Sequence, residues 1–226
     1  MVEEEIPLKK PRQALWDKFW AEHGSPNNLF HRLLWLIRFI FSRAYAKIIY
    51  DTVGSIPNPR LIEIGCGSAR TLHYLKEGYR DGIFFALDLS KEAVTLARDI
   101  DPDFHPTCAN ALSTPLPANC MDISYSIGLV EHFTREEAAR MIVEKNRITR
   151  PGGYVAVMVP WKNSVYNLVV RKAFGDKWPF GDEDPFRRKE LADFLAASGV
   201  IPVKVHVIYG STLLGIGMKP HLDLQS

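Results

Sequence analysis

The chain has 226 residues, 46% of them apolar and 24% charged, with a formal net charge of +2. That is enough for one α/β domain with additions, and so balanced a charge gives no global electrostatic case for nucleic acid. Three cysteines, at 66, 108 and 120, show neither metal-ligand spacing nor a paired framework, so they read as reduced thiols of a cytoplasmic protein.

Residues 1–11 read as a loose acidic start ending in Lys9-Lys10-Pro11, without the apolar leader of a secreted chain. A short helix is expected over 12–22, with Trp16, Phe19 and Trp20 on one side. A second helix should start at Ser25-Pro26 and run to about Thr52, where Pro57 and Pro59 stop it. Its apolar positions, Leu29 to Ile48, recur near helical spacing. His31, Arg32, Arg38, Arg43 and Lys47 interrupt them, which argues against a membrane span. The expected role of 29–50 is packing on the domain, with contact to an anionic lipid surface as the alternative. These elements make an N-terminal helical extension, 1–55, ahead of a domain over 56–226.

From Arg60 onward, apolar runs alternate with helical patterns, which is the mark of βαβ units. Strands are expected at 60–64, 83–87, 104–108, 121–127 and 153–159, and helices at 69–78, 90–99, 134–149 and 187–198. Thr134 and Glu137 form a capping box for the third of these helices, and Arg147 and Arg150 suit its C-terminus. The last apolar runs, 203–207 and 212–217, are separated by only a hairpin turn and must pair antiparallel. The fold class is therefore α/β: a Rossmann-like open sheet of seven strands, mostly parallel, closed by an antiparallel hairpin. Between the fifth strand and the 187 helix lies an insertion, 160–186, rich in aromatic residues. Trp161 and Tyr166, nearest the strand end, are candidates for a substrate pocket wall, or else belong to a minor helix packed on the sheet edge.

Four segments carry chemistry. The first is Leu61-Ile62-Glu63-Ile64-Gly65-Cys66-Gly67-Ser68-Ala69-Arg70, a buried strand running into a glycine turn and a helix. Glycine lets a ligand approach the backbone closely, and the free amides of the helix start favour a polar ligand. The dinucleotide fingerprint G-x-G-x-x-G fails here, because Arg70 stands at its last position. Glu63, two residues before the first glycine, would repel a pyrophosphate and suits a ligand with an amine and a positive centre. The second segment ends the next strand in Asp88-Leu89-Ser90. An acid about 20 residues past the glycines can accept from ribose hydroxyls, and Ser90 can cap the following helix, which leaves Asp88 for the ligand. The third is Asn110-Ala111, then Leu116-Pro117 and Met121-Asp122. The fourth is Ile127 at the end of the fourth strand, followed by Gly128-Leu129-Val130-Glu131-His132-Phe133 and, after a helix, Pro151-Gly152-Gly153.

In this order, over roughly 60–160, these segments resemble the class I S-adenosylmethionine (SAM) dependent methyltransferases, in their type-11-like small-molecule branch. The resemblance implies that Glu63 serves the methionine end of SAM, through its amine or by ordering the loop. It implies that Gly65, Cys66 and Gly67 pass beneath the ligand and that Asp88 takes the ribose hydroxyls. Leu89 and Ala111 would sandwich the adenine, Asn110 would meet its amino group, and Ile127 would line the site. Asn110 departs from the family's more usual Asp. His132 is the candidate base for a phenol or enol acceptor, against a histidine that merely packs at a helix start. No carboxylate cluster suited to a metal is evident. The expected activity is methyl transfer to a small-molecule acceptor, with no nucleic-acid partner and no assigned oligomeric state. A non-catalytic methyltransferase-like binding subunit and an NAD-linked Rossmann enzyme are the alternatives.

Overall fold

The computed structural model describes residues 12–23, 29–165, 167–168 and 183–221. Seven strands form one sheet in the order β3-β2-β1-β4-β5-β7-β6. They are β1 (Arg60–Ile64), β2 (Ile83–Asp88), β3 (His105–Cys108), β4 (Met121–Ile127), β5 (Thr149–Pro160), β6 (Lys204–Ile208) and β7 (Thr212–Met218). The first five pair in parallel, and β7 runs antiparallel between β5 and β6. β1 has Leu61, Ile62 and Ile64 fully or almost fully buried. A central parallel strand covered on both faces needs such an unbroken apolar run.

The helices are α1 (Arg12–His23), α2 (Leu29–Val53), α3 (Arg70–Gly78), α4 (Lys91–Ile100), α5 (Arg135–Ile148) and α6 (Arg188–Ala197). Local chemistry explains their ends. Ser90 Oγ accepts from Ala93 N at the start of α4. At the start of α5, Thr134 Oγ1 accepts from Glu137 N and the Glu137 carboxylate accepts from Thr134 N, so the capping box is formed. The expected helix start at Ser25-Pro26 lies outside the described residues.

β5 departs from expectation. It starts at Thr149, before the Pro-Gly-Gly turn, and its register on β4 slips between Met121↔Thr149 and Ile123↔Tyr154. Residues 150–153 are thus absorbed as a bulge, with Gly152 at φ 77°. Arg150 is drawn away from the α5 C-terminus and pairs with Asp122 on β4.

α2 buries Tyr45, Ala46 and Ile49 in the main core, beside Leu61, Leu72 and Leu75, and leaves Leu36, Ile37 and Ile40 exposed. Among the described residues, no helix is long and apolar enough to cross a membrane. α1 lies at the start of α4, where Asp17 Oδ1 accepts from Lys91 N at 3.0 Å and so satisfies one unpaired helix donor.

One buried charge stands out. Lys145 on α5 is fully buried, and its Nζ has no hydrogen-bond partner among the described residues. Burial pushes its pKa down to about 7, against the opposing influence of Glu131. A buried ammonium without a hydrogen-bond partner is destabilising, and an apolar side chain of similar length removes that cost. Lys145→Met should therefore raise the urea midpoint at pH 6.5. The unfolded lysine keeps its proton up to the usual pKa of 10.5, so the gain should shrink as pH rises from 7 towards 10.5. Equal midpoints for variant and parent at pH 6.5 would contradict this.

Candidate active site

A cavity of about 730 Å³ opens at the carboxyl ends of β1, β2 and β4. This is where the strand order reverses, the usual place for a ligand in an open α/β sheet. The loop after β1 is shaped by three departures into left-handed backbone at alternate residues: Gly65 at φ 70°, Gly67 at φ 51° and Ala69 at φ 50°. Leu87 O accepts from both Gly65 N and Cys66 N, at 2.7 and 3.0 Å. A Cβ on Gly65 would press on Leu129 at 2.8 Å, and one on Gly67 would overlap the Trp20 indole. The glycines thus make room for protein side chains as well as for a ligand.

Glu63 lines the cavity and is 3% exposed. Its Oε2 accepts from Leu72 N at 3.1 Å and from Tyr125 Oη at 3.2 Å, joining β1, α3 and β4. Burial pushes its carboxyl up to about 8, opposed by those two hydrogen bonds. Asp88 is likewise buried. Its Oδ2 accepts from Gly67 N and its Oδ1 from Ser90 N, each at 2.9 Å. Ser90 does cap α4, but this does not leave Asp88 free. Its carboxylate holds the glycine loop and the β2–α4 turn together, and each oxygen keeps further acceptor capacity for a ligand. Asn110 Oδ1 accepts from Leu112 N at 2.9 Å, so it stabilises its own turn while facing the cavity. Cys66, Leu89, Ala111 and Ile127 also line the cavity. The Cys66 thiol is pushed well up by burial, with Asp88 and Glu63 adding to the effect.

The opposite wall comes from α1, to which the sequence assigns no role, and from α2, expected to pack on the domain or to meet a lipid surface. Trp16, Phe19 and Trp20 of α1 and Arg38 of α2 all line the cavity. The Arg38 guanidinium sits 4.8 Å from the Trp20 ring centroid. Burial and then Arg70 push its pKa down to about 10, while Glu63 raises it. The amphipathic spacing of α2 could not single out Arg38 from its other cations, because which arginine meets the loop depends on how the helix docks.

Past β4, a 3-10 turn (Val130–His132) carries Glu131 and His132. The His132 ring meets Trp16 edge-on at 5.0 Å. Glu183 arrives from far along the chain, and the ligand atoms of Glu131, His132 and Glu183 lie within 4.8 Å of one another. The sequence shows no such cluster, since the third member is brought in only by the fold. Glu131 is 2% exposed, and burial, with Glu183 next, pushes its carboxyl well up.

Trp161 does not line this cavity. Pro160, the last residue of β5, does, and alternation along the strand turns the next side chain to the other face. There Trp161 packs on an apolar cluster that includes Val130, Val155, Leu191 and Leu213 and bridges to Phe186. Tyr166 lies outside the described residues.

Residues 62–157 match the family model described as a methyltransferase domain, and over that stretch the chain is similar to methyltransferases. Among curated relatives, the chain is 30% identical over 124 residues to malonyl-[acyl-carrier protein] O-methyltransferase of Serratia marcescens, covering 55% of this chain and 45% of that protein. The chain spans less than half the length of the curated relatives it matches. Among solved structures, a methyltransferase of Haloferax volcanii in complex with the Trm112 activator superposes with a TM-score of 0.70 at 18% identity, over 91% of this chain and 99% of that one. Magnesium protoporphyrin IX methyltransferase from Synechocystis, with bound S-adenosylhomocysteine (SAH), gives 0.71 at 12% identity, over 92% and 98%. These two likenesses establish the fold.

Proposed function

We propose that the protein transfers a methyl group from SAM to a small-molecule acceptor, an oxygen nucleophile by analogy with the O-methyltransferases among its relatives. One observation carries the reading: Glu63, Gly65, Gly67, Asp88, Asn110 and Ala111, from separate strand ends, surround one cavity of a size suited to a nucleoside ligand. The residues fit SAM. Asp88 keeps acceptor capacity for ribose hydroxyls, Leu89 and Ala111 offer apolar faces for adenine, and Asn110 stands at the adenine edge. Glu63 and Arg38 supply opposite charges for the ammonium and carboxylate of the methionine end. The Arg38 role is an addition to the sequence reading. His132, Phe133 and Met158 stand at the acceptor end.

SAM, when bound, supplies a methyl carbon on a sulfonium with a neutral leaving group. The residues need only hold the acceptor atom about 3 Å from that carbon, in line with the departing sulfur, and keep water away. Residues 56–226 are the catalytic unit in this reading, and 1–55 are an extension whose Trp16, Phe19, Trp20 and Arg38 wall the cavity. The free cysteines support a cytoplasmic setting.

The test is calorimetry with SAH and NADH, followed by transfer of label from methyl-labelled SAM to a panel of carboxylates and phenols. Saturable SAH binding without NADH binding, and label in an acceptor, are expected. Failure to bind SAH or SAM would end the reading. Binding without transfer to any acceptor would favour the binding-subunit alternative.

A further inference from the structure

We propose that Glu131, His132 and Glu183 form a divalent-cation site at the acceptor end of the cavity, where the ion would hold an acceptor oxygen. The acceptor part rests on the methyl-transfer reading, but the cation site itself does not.

The donor set is built by the fold. Glu131 and His132 share the 3-10 turn after β4. The strand of chain bearing Glu183 is tied to that turn, because Asp184 N donates to Glu131 O at 2.8 Å. Arg135 holds it from the other side, donating to Asp184 O and Pro185 O at 3.2 Å each. The three donor groups therefore converge without help from solvent-exposed side chains folding back.

Spacing and chemistry agree with an ion. Ligand atoms within 4.8 Å of one another match a coordination shell of about 2.1–2.4 Å radius, whose opposite members lie about 4.2–4.8 Å apart. Two carboxylates and an imidazole suit manganese, iron, zinc or magnesium, and three protein ligands leave positions open for substrate oxygen. In this role His132 acts as a ligand, not as the base expected from the sequence.

An independent observation points into the site. Glu131 Oε2 is buried and has no hydrogen-bond partner among the described residues. Lys145 and Arg135 are the positive charges that act on it, but among the described residues Lys145 Nζ has no hydrogen-bond partner either, so Lys145 and Glu131 do not pair directly. A buried carboxyl oxygen left without a partner is unfavourable. A cation on the cavity side of Glu131 would supply the missing partner.

The experiment is a Mn²⁺ titration of the chelator-treated, full-length chain at pH 7.5, followed by electron paramagnetic resonance. SAH affinity is measured by calorimetry on the same metal-free sample. One equivalent of Mn²⁺ should bind saturably, and Glu183→Ala and Glu131→Gln should each weaken it at least tenfold. SAH affinity should stay within twofold in Glu183→Ala, whose side chain is only partly buried and serves as the variant if Glu131→Gln fails to fold. No saturable Mn²⁺ binding, or equal binding in Glu183→Ala, overturns the cation site while SAH binding upholds the methyltransferase reading. Mn²⁺ binding without SAH binding supports the cation site and overturns that reading instead.

Discussion

Gly67→Val should reduce SAH affinity by at least a hundredfold, about 2.7 kcal/mol, with the sheet still folded by circular dichroism. Two separate penalties act at this position. The backbone sits at φ 51°, a region that β-branched residues almost never occupy. A Cβ there would also overlap the Trp20 indole, so α1 must leave its seat on the cavity wall. The Gly67 amide is the donor held by Asp88, and displacing it loosens the acid that is to meet the ribose. Gly54→Ala is the control. Gly54 also has a left-handed backbone, at φ 77°, but nothing lies within 4 Å of its Cβ position. It should lose about 1 kcal/mol of stability from backbone strain and keep its SAH affinity. Retained affinity in Gly67→Val would refute the close-approach argument, and equal loss in both variants would reduce it to strain.

Asp88→Ala should weaken SAH binding by about 1–3 kcal/mol and cost a similar amount of folding stability, since it leaves two buried backbone donors without partners. Gly67 N and Ser90 N each lose an acceptor at 2.9 Å. Asp88→Asn should fall between, because an amide keeps one acceptor oxygen and loses the other. Calorimetry and denaturant midpoints on the three proteins check this. Lowered stability with unchanged SAH affinity would make Asp88 a loop clasp alone.

What was legible in the sequence is what depends on neighbours along the chain. The glycine turn, the Ser90 and Thr134 caps, the buried run of β1 and the closing hairpin are all local patterns. They stand where spacing put them. Position on a strand was harder. Trp161 was placed by its nearness to the strand end, but one residue changes the face, and Pro160 holds the cavity side. The functions of Asp88 were read as exclusive, ribose or structure, whereas a carboxylate with two oxygens serves the backbone and retains capacity for more. Arg38 and Glu183 were missed for a common reason. Each reaches the site from a segment whose docking no local signal encodes.

The contact between Gly65 and Leu129 has a further meaning. A Cβ on Gly65 would meet Leu129 Cδ1 at 2.8 Å, so the first loop and the turn after β4 lean on each other through an absent side chain. In the proposed reading, one would carry the nucleoside and the other would face the molecule to be modified. Any movement of the second on occupancy alters the seat of the first, and by reciprocity the influence runs equally in both directions.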